Sequence, residues 1–336
     1  MNPTLSESAA AAAADVVASD VMALVQDDLV LVEHELRDGA ACAVEAVTAI
    51  GQHLQASGGK RIRAGLVLLA ARLSACPEGP RVRLAAIVEM IHAATLIHDD
   101  VIDDSPLRRG QPSANAQWGN QRSVLAGDWL YMQSFRLALQ ERNFAVLDAL
   151  IALTQQMVEG ELVQLEMQGR VVSAAEHLDL MERKTARLFA VASQLGAMAA
   201  GAGAATVEQL GRFGRHLGLA FQMVDDILDF SAAAEVLGKP VGSDLRDGKM
   251  TLPAIYAHQA ADAPGRAAIE MVLHGRPAEG TWARVSELVT RHGIARARRE
   301  SREQAALATQ ALAGFPDSAW KSALLRLPAM VIARGH

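Results

Sequence analysis

Aromatic residues are scarce in this chain of 336 residues, since Phe, Trp and Tyr together account for only 4% of it. Hydrophobic residues nevertheless make up 51% of the sequence, and most of them are Ala, Leu and Val. Ala and Leu are strong helix formers, whereas strands are enriched in aromatic and β-branched residues. The composition therefore favours a helical protein over one built from sheets.

Cysteine is almost absent, and the two that occur, Cys42 and Cys76, stand far apart. Neither belongs to a Cys-x-x-Cys pair or to the spacing of a zinc site, so we expect two reduced thiols. An excess of basic charge is absent too, because the formal net charge is -6. That balance argues against a nucleic-acid-binding surface, and an anionic ligand would need local cations or metals to hold it.

Targeting signals are missing from the N-terminal region as well. No Lys or Arg precedes Arg37, and the alanine run 9–14 is bordered by acidic residues. A secretory signal needs a basic segment before its apolar stretch, and a transit peptide is rich in Arg, so neither is expected. Since no apolar run reaches about 18 residues, we also expect no transmembrane segment, and we expect the protein in the cytoplasm.

Helical periodicity is nearly continuous from residue 21 onward, with apolar residues at i, i+3 and i+4 spacing. Clusters of Gly and Pro interrupt it at 57–59, 76–80, 105–112 and 238–253. The predicted helices cover 27–38, 83–104, 124–140, 146–168, 174–201 and 206–230. No convincing strand pattern occurs, and residues 1–20, rich in Ala and Ser, are expected to be flexible. We therefore predict one all-α domain over 21–336.

Two of the predicted helices end in the same acidic pattern. HDDVIDD at 98–104 and VDDILDF at 224–230 each contain three aspartates in D-D-x-x-D spacing. Residues four apart share one face of a helix, so Asp99 lies beside Asp103, and the second motif repeats that arrangement. The residues between the aspartates are Val, Ile and Leu, which indicates partial burial.

Buried carboxylates without a partner are costly, so a compensating cation is expected at both motifs. Oxygen ligands select hard divalent metals, and Mg²⁺ is typically held by one or two carboxylates together with substrate phosphates. Two such motifs therefore predict a metal and diphosphate site. The candidate metal ligands are Asp99, Asp100, Asp103, Asp225, Asp226 and Asp229.

Basic residues that could meet a diphosphate occur at several places, both within the Gly/Pro clusters and between them. In GGKRIRAG (58–65), a glycine pair and a predicted helix start both suit close approach of an anion. The candidates are Lys60, Arg61, Arg63, His92, Arg108, Arg109, Lys184, Lys239 and Lys249. For each, the alternative is an ordinary solvated or structural side chain. The segment GKPVGSDLRDGKM (238–250) is interpreted as a lid that carries Lys239 over the site.

Six motifs, in this order, resemble those of the trans-polyprenyl diphosphate synthases: GGKRIRAG, EMIHAATLIHDDVIDDSPLRRG, GDWL, KTA, FQMVDDILDF and LGKPVGSDLRDGKMTLP. They run from about residue 58 to 253, and their order, spacing and flanking residues agree with that family. The resemblance implies a helical bundle around a central cavity, with the two Asp motifs facing each other across its mouth. The sequence departs from the family at Ala64, where proline is usual, so a less rigid turn is expected there.

The resemblance further implies a prenyltransferase that condenses isopentenyl diphosphate repeatedly onto an allylic primer such as farnesyl diphosphate. It implies a homodimer and about three Mg²⁺ ions per active site on the six aspartates when substrate is bound. The residues implied to contact the allylic diphosphate are Lys184, Lys239, Thr185, Gln222 and Arg108. Those implied to bind isopentenyl diphosphate are Lys60, Arg63, His92 and Arg109. The implied catalytic residues are Asp99, Asp100, Asp103, Asp225, Asp226, Lys184 and Lys239.

The residues before the first Asp motif bear on product length. In short-chain members of the family, bulky aromatic residues close the pocket near the positions of Ala94 and Thr95, and both are small here. Ile91 lies one turn earlier, and the first motif has no insertion of the kind seen in bacterial short-chain members. The resemblance thus implies a long product, octaprenyl for quinone side chains, with a farnesyl or geranylgeranyl synthase as the alternative. Ala94→Phe is expected to shorten the product.

Three other functions share parts of this pattern. His98 and Asp99 resemble the His-Asp pair of metal-dependent phosphohydrolases, but that function leaves the second Asp motif unexplained. Class I terpene cyclases contain one D-D-x-x-D helix and differ in their second metal motif. A non-catalytic subunit of a heteromeric synthase would be expected to lose Asp or Lys positions, and all are present here.

Overall fold

The computed structural model describes residues 20–56, 61–108, 110–231 and 240–334. Within these ranges nearly every element is a helix, which confirms the all-α prediction. The helices of the first half are α1 (Gln26–Ala40), α2 (Glu45–Ala56), α3 (Ile62–Leu73), α4 (Glu78–Ile102), α5 (Ala114–Trp118), α6 (Asn120–Gln140) and α7 (Phe144–Met167). The predicted flexible segment 1–20 falls outside the described residues except for its last residue.

The second half continues with helices of very different lengths. These are α8 (Ala174–Met181), α9 (Arg187–Ala199), α10 (Ala204–Ser231), α11 (Ser243–Arg246), α12 (Leu252–Ala260), α13 (Ala263–Leu273), α14 (Thr281–Leu288), α15 (Ile294–Ala311) and α16 (Ala319–Ala333). Helix α10 lies at the centre and packs most extensively against α9 and α15, while α4 packs against α6. The C-terminal ends of α4 and α10 carry the two Asp motifs.

Close packing between α9 and α10 depends on glycines that repeat at helical spacing. A Cβ atom on Gly214 would lie 2.2 Å from the carbonyl oxygen of Phe189, and one on Gly218 would lie 2.7 Å from the Cα atom of Ala186. Neither position can hold a larger residue without displacing backbone. The main hydrophobic core surrounds this contact and includes the fully buried Phe189 and Phe213.

The predicted helix over 174–201 is interrupted where the candidate Lys184 lies. Helix α8 begins with a capping box between Ser173 and Glu176, a π-helical segment spans Glu182–Ala186, and α9 follows. The segment contains no Gly or Pro, so its apolar spacing alone indicates a continuous helix. One wider turn within an otherwise regular helix leaves that spacing almost unchanged.

A small hairpin corrects the expectation that the chain contains no strand. β1 (Leu107–Arg108) and β2 (Gln111–Pro112) pair antiparallel, with Leu107 opposite Pro112. Each strand has two residues, which is too short to produce an alternating pattern in the sequence. The hairpin follows the first Asp motif directly and turns Arg108 back toward it.

Candidate active site

The first Asp motif lies at the C-terminal end of α4, and its three carboxylates have different surroundings. Asp99 lines a cavity of about 510 Å³, which we call the α4–α7 cavity, and the Asp103 side chain is 35% exposed. Asp100 is buried and accepts hydrogen bonds from Nε and Nη2 of Arg108 at 2.8 and 2.7 Å. Both oxygens of Asp100 are therefore engaged by one guanidinium, whereas Asp99 and Asp103 lie on the open side of the helix.

In the second motif, Asp226 is buried and is held from two sides. Nε2 of His177, on α8, lies 2.8 Å from one carboxylate oxygen, and the side-chain amide of Gln222 donates to the other at 3.1 Å. The Gln222 carbonyl in turn accepts a hydrogen bond from the hydroxyl of Thr185 at 2.8 Å. A continuous chain of hydrogen bonds thus runs from α8 through α10 to the π-helical segment.

The other two aspartates of the second motif differ from each other. Asp229 is buried and accepts hydrogen bonds from the Ser243 hydroxyl at 2.8 Å and from the Asp244 backbone N–H at 3.3 Å. It therefore fixes the start of the short helix α11. Asp225 is 37% exposed at its side chain and lies 3.3 Å from the guanidinium of Arg334.

Two of the carboxylates titrate well above the ordinary range of aspartate. Burial raises the pKa of Asp99 to about 6, although the nearby Lys184 cation opposes the shift. Although 37% of the Asp225 side chain is exposed, the protein atoms packed around its carboxylate desolvate it and raise its pKa to about 6, against the opposing effect of Arg334. Burial disfavours the charged form of both groups, so a cation bound beside them would stabilise their ionised state.

The π-helical segment directs Lys184 and Thr185 toward the α4–α7 cavity, which both residues line. The Lys184 ammonium lies 2.5 Å from a carboxylate oxygen of Glu161 and 3.1 Å from the side-chain oxygen of Gln164. Burial would lower the pKa of Lys184, but Asp99 and Glu161 outweigh it and raise the pKa above its ordinary value. Lys184 therefore stays charged at the mouth of the cavity.

The loop after the second motif reaches across to the first. The Lys249 ammonium lies 2.9 Å from Oδ1 of Asp103. Backbone hydrogen bonds hold this part of the loop, from Lys249 to the carbonyl of Asp244 and from Gly169 to the carbonyl of Gly248, both at 2.8 Å. The described part of the predicted lid is thus anchored, and it joins the two Asp motifs.

Arg63 and His92 lie between the α4–α7 cavity and a second cavity of about 480 Å³, and they line both. Arg108 and Arg334 line the second cavity as well. The structure therefore brings these cations together beside the carboxylates. The remaining predicted cations, Lys60, Arg109 and Lys239, lie outside the described residues.

The three residues predicted to control product length are separated in the structure. Thr95 lines the α4–α7 cavity one turn before Asp99. Ala94 is fully buried and packs in a small cluster with Ile50 and Leu130, and Ile91 lies in the main core. Of the three, Thr95 is therefore the one whose side chain meets the cavity directly.

Several residues that support the site were missed at the level of sequence. His177, Gln164, Glu161 and Arg334 all contact predicted site residues, but none of them lies within the six sequence motifs. Glu161 and Gln164 are three apart on α7, and their polar pairing beside apolar neighbours was a usable signal. No local sequence signal identifies His177 or Arg334. His177 lies 49 positions from its partner Asp226, and Arg334 lies 109 positions from its partner Asp225.

The donor set of the two motifs suits a hard divalent cation such as Mg²⁺, since all candidate ligands are carboxylate oxygens. Across the described ranges, no group of three or more His, Cys, Asp or Glu side chains converges as a metal cage. An ion that completes its coordination with water and phosphate oxygens does not need such a cage. The residues present therefore fit a metal that is bound together with a diphosphate.

Comparisons with known proteins agree with this geometry. The sequence profile of the polyprenyl synthetase family matches residues 44–289. An octaprenyl diphosphate synthase from Haemophilus influenzae is 35% identical over 319 residues, which cover 94% of this chain and 97% of the relative. A nonaprenyl diphosphate synthase from Rhodobacter capsulatus, described as geranyl-diphosphate specific, is 37% identical over 322 residues, with coverage of 94% and 97%.

A solved structure extends the similarity to three dimensions. The crystal structure of a polyprenyl synthase from Caulobacter crescentus, complexed with calcium and isoprenyl diphosphate, is 37% identical and has a TM-score of 0.90. The similarity covers 95% of this chain and 98% of that one. None of the described helices is both long and apolar enough to span a bilayer. The chain therefore belongs to the polyprenyl synthetase family and is a trans-prenyltransferase.

Proposed function

We propose that this enzyme adds isopentenyl diphosphate repeatedly to an allylic primer such as farnesyl diphosphate, and that its product is all-trans octaprenyl diphosphate for quinone side chains. One observation carries the proposal: a single cavity joins charged groups to an apolar wall. Asp99 and Lys184 stand at its polar end, while Met157, Val158 and Leu188 line its apolar part. A diphosphate with a growing hydrocarbon chain requires those two environments side by side.

Two groups of basic and polar side chains support two diphosphate sites. Lys184, Thr185 and Gln222 surround the polar end of the α4–α7 cavity and suit the allylic diphosphate. Arg63 and His92 stand between the cavities and suit isopentenyl diphosphate, because the two substrates must meet there. Arg108 would complete the site for the allylic diphosphate, together with Lys239, which lies outside the described residues. Lys60 and Arg109, also outside those residues, would complete the second.

Mg²⁺ would be held by the aspartates of both motifs together with the allylic diphosphate. Asp99, Asp103 and Asp225 are the members best suited to direct ligation, because Asp99 lines the α4–α7 cavity and the side chains of Asp103 and Asp225 are 35% and 37% exposed. Protein donors engage both oxygens of Asp100, Asp226 and Asp229. Those three suit orientation of the site. When bound, the metal supplies Lewis-acid stabilisation of the departing diphosphate.

The reaction requires stabilisation of the negative charge on the leaving diphosphate at the polar end of the cavity. It also requires exclusion of water from the apolar part. The bond between the allylic carbon and the diphosphate oxygen breaks, and the isopentenyl double bond attacks the allylic cation to form the new carbon–carbon bond. A proton then leaves to a diphosphate oxygen, which restores an allylic diphosphate one unit longer. Lys184 stabilises negative charge on the leaving group, and apolar side chains such as Leu96 and Leu188 keep water from the cation.

We also propose a cytoplasmic homodimer. Both substrates are charged diphosphates that dissolve in water, which suits that compartment. Apolar side chains on α6 and α7 are exposed, among them Leu125 at 65%, Met132 at 62% and Leu162 at 57%. An apolar face of this kind is typical of a protein–protein contact.

The decisive experiment incubates the purified enzyme with labelled isopentenyl diphosphate, farnesyl diphosphate and Mg²⁺, and determines product length by thin-layer chromatography and mass spectrometry. We expect C40 product and release of diphosphate that depends on both substrates. Diphosphate release from one substrate alone would contradict condensation. A dominant product other than C40 would contradict the octaprenyl assignment and leave the reaction class intact.

A further inference from the structure

The backbone of Arg61 adopts a conformation that is unusual for any residue other than glycine. Its φ of 46° and ψ of 35° lie in the left-handed region, where the Cβ atom of an L-residue crowds the following carbonyl oxygen. Arg61 also precedes α3 directly, and its carbonyl accepts a hydrogen bond from the N–H of Gly65 at 2.8 Å. A strained residue at a helix start persists only where its surroundings hold it in place.

Two carboxylates hold the Arg61 side chain. Glu33 of α1 accepts hydrogen bonds from Nε at 2.7 Å and from Nη2 at 3.1 Å, and Glu89 of α4 accepts one from Nη1 at 3.1 Å. Burial would lower the pKa of Arg61, but the two carboxylates outweigh it and raise the pKa above its ordinary value. The guanidinium already faces more negative charge than it carries, which makes it a poor site for a further anion.

Glu89 connects this ion pair to the first turn of α3. Glu89 is 7% exposed, and its second oxygen accepts the backbone N–H of Ala64 at 3.0 Å. The first N–H groups of a helix have no intrahelical acceptor, and a negative charge beside them is favourable. Glu89 therefore fixes the chain on both sides of Arg63, through the Arg61 side chain before it and the Ala64 N–H after it.

Arg63 is the side chain that this arrangement places. It lines both cavities, and its guanidinium carbon lies 5.1 Å from the ring centre of Phe189. His92 lines the same two cavities and lies three residues after Glu89, on the same side of α4. One buried carboxylate thus stands behind both residues of the proposed isopentenyl diphosphate site.

We call the cluster formed by Arg61, Glu33 and Glu89 the α3 clamp. We propose that the α3 clamp positions Arg63 for isopentenyl diphosphate and that Arg61 itself binds no phosphate. The inference rests on the proposed function, which assigns Arg63 and His92 to that substrate. It makes Arg61 a positioning residue although it stands in the same basic segment as Arg63.

Neutral substitutions of the two carboxylates test the inference, because the two roles of Arg61 predict opposite signs. Glu33→Gln and Glu89→Gln each weaken the clamp and leave the Arg61 charge intact. If the clamp positions Arg63, both variants raise KM for isopentenyl diphosphate by about fivefold or more, with little change in KM for farnesyl diphosphate. If Arg61 is a phosphate ligand, its release from a competing carboxylate leaves that KM unchanged or lowers it, which would overturn the proposal.

Arg61→Lys provides the complementary measurement. Lysine keeps the charge and loses the planar fork that binds two carboxylates at once. The proposal therefore predicts that Arg61→Lys raises KM for isopentenyl diphosphate as much as Arg61→Ala does. A lysine variant with wild-type KM would contradict it. Glu208→Gln, which changes an exposed carboxylate 3.8 Å from Arg212 on α10, is the matched control and is expected to leave KM unchanged.

The same variants distinguish a folding defect from a change in substrate binding. Glu33 is 39% exposed at its side chain, so Glu33→Gln is expected to fold even if substitution of the buried Glu89 lowers Tm. Wild-type enzyme that fails to condense the two substrates would refute the proposed function. Active wild-type enzyme, combined with unchanged or lowered KM in Glu33→Gln, would refute the α3 clamp alone.

Discussion

Asp225 and Asp229 are one helical turn apart in the same motif, yet they have different neighbours. Asp225 is 37% exposed and pairs with Arg334, whereas Asp229 is buried beneath the start of α11. Asp225→Asn is expected to lower kcat by about 10³-fold, because a group at the charge-stabilising centre is lost. Asp229→Asn keeps an acceptor for Ser243 and is expected to cost about 10-fold to 100-fold.

Steady-state kinetics at several Mg²⁺ concentrations check this prediction. Circular dichroism spectra of both variants should match the wild type. Equal losses at the two positions would show that the buried Asp229 contributes as much as Asp225 to the reaction. That outcome would contradict the division of the aspartates into ligating and orienting groups.

The raised pKa values predict how stability depends on pH in the absence of metal. Asp99 and Asp225 each have a folded pKa of about 6, above the ordinary aspartate value of 3.8. The folded state then binds more protons than the unfolded state, so the stability these groups contribute is present at low pH and lost as pH rises through about 6. Asp225→Asn removes one such group and is expected to gain Tm over the wild type as pH rises from about 4 to 6, with no further gain above that pH.

Thermal unfolding in EDTA measures the difference between the two proteins at each pH. Mg²⁺ with a non-reactive allylic diphosphate analogue should stabilise the wild type above pH of about 6 and much less below it, because the ligands must be ionised. A Tm difference that stays constant across this range would contradict the raised pKa of Asp225.

Thr95 and Ala94 are adjacent, but a larger side chain has different consequences at each. Thr95 faces the open α4–α7 cavity, so Thr95→Phe is expected to shorten the product with little change in Tm. Ala94 is fully buried against Ile50 and Leu130, so Ala94→Phe is expected to lower Tm by overpacking and to shorten the product only indirectly, by displacing the adjacent Thr95. Product mass and thermal unfolding separate the two effects. Full-length product from Thr95→Phe would exclude this wall as a determinant of length.

Sequence reasoning at the residue scale succeeded where one residue type carries the chemistry. The aspartate spacing indicated a metal and diphosphate site without reference to long-range contacts. Ala64 shows where it failed, since the absence of proline suggested a looser turn, whereas the free N–H is used as a donor to Glu89. Such bonds join residues 25 positions apart, and no local pattern reveals them.

At the scale of elements, periodicity predicted α1, α4, α6, α7 and α10, merged α8 and α9 into one helix, and left the other helices unassigned. The π-helical segment Glu182–Ala186, the short helix α11 and the two-residue strands all fall below the length at which periodicity is visible. These short irregular elements nevertheless position Lys184, Lys249 and Arg108. The short elements that sequence periodicity does not reveal are therefore the ones that orient the polar side chains of the site.

Close contact between α9 and α10 leads to a prediction about stability. Alanine at Gly214 would place its Cβ atom 2.2 Å from the Phe189 carbonyl oxygen and force the helices apart. Gly214→Ala is expected to lower the free energy of unfolding by about 1–3 kcal/mol despite the better helix propensity of alanine. Gly203→Ala is the control, because nothing lies within 4 Å of the new Cβ atom and its φ is not positive.

Urea denaturation measures both variants. Gly203→Ala should leave the free energy of unfolding unchanged or raise it slightly, since glycine is replaced where alanine fits. Equal stabilities for the two variants would show that α9 and α10 can separate at no cost. The rigid support of the second Asp motif would then need another explanation.

At the scale of the whole molecule, an apolar stripe runs along the outside of α6. Leu125, Met132 and Leu139 are seven residues apart and are 65%, 62% and 50% exposed. On α7, the exposed Val158 and Leu162 also line the α4–α7 cavity. A second copy of the chain that covers this face would therefore shield one wall of the cavity from water as well as bury the stripe.

Lysine substitutions in the apolar stripe of α6 should show whether dimer formation is required for full-length product. The double variant Leu125→Lys, Met132→Lys is expected to sediment as a monomer, because two desolvated ammonium groups oppose apolar burial. With the cavity wall open to water, the monomer should release shorter products than the wild type. Leu307→Lys on α15, where the leucine is 41% exposed, is the matched control and should remain dimeric with full-length product. A monomeric double variant with unchanged product would show that the cavity of one subunit is sufficient, and a dimeric one would place the interface on another face.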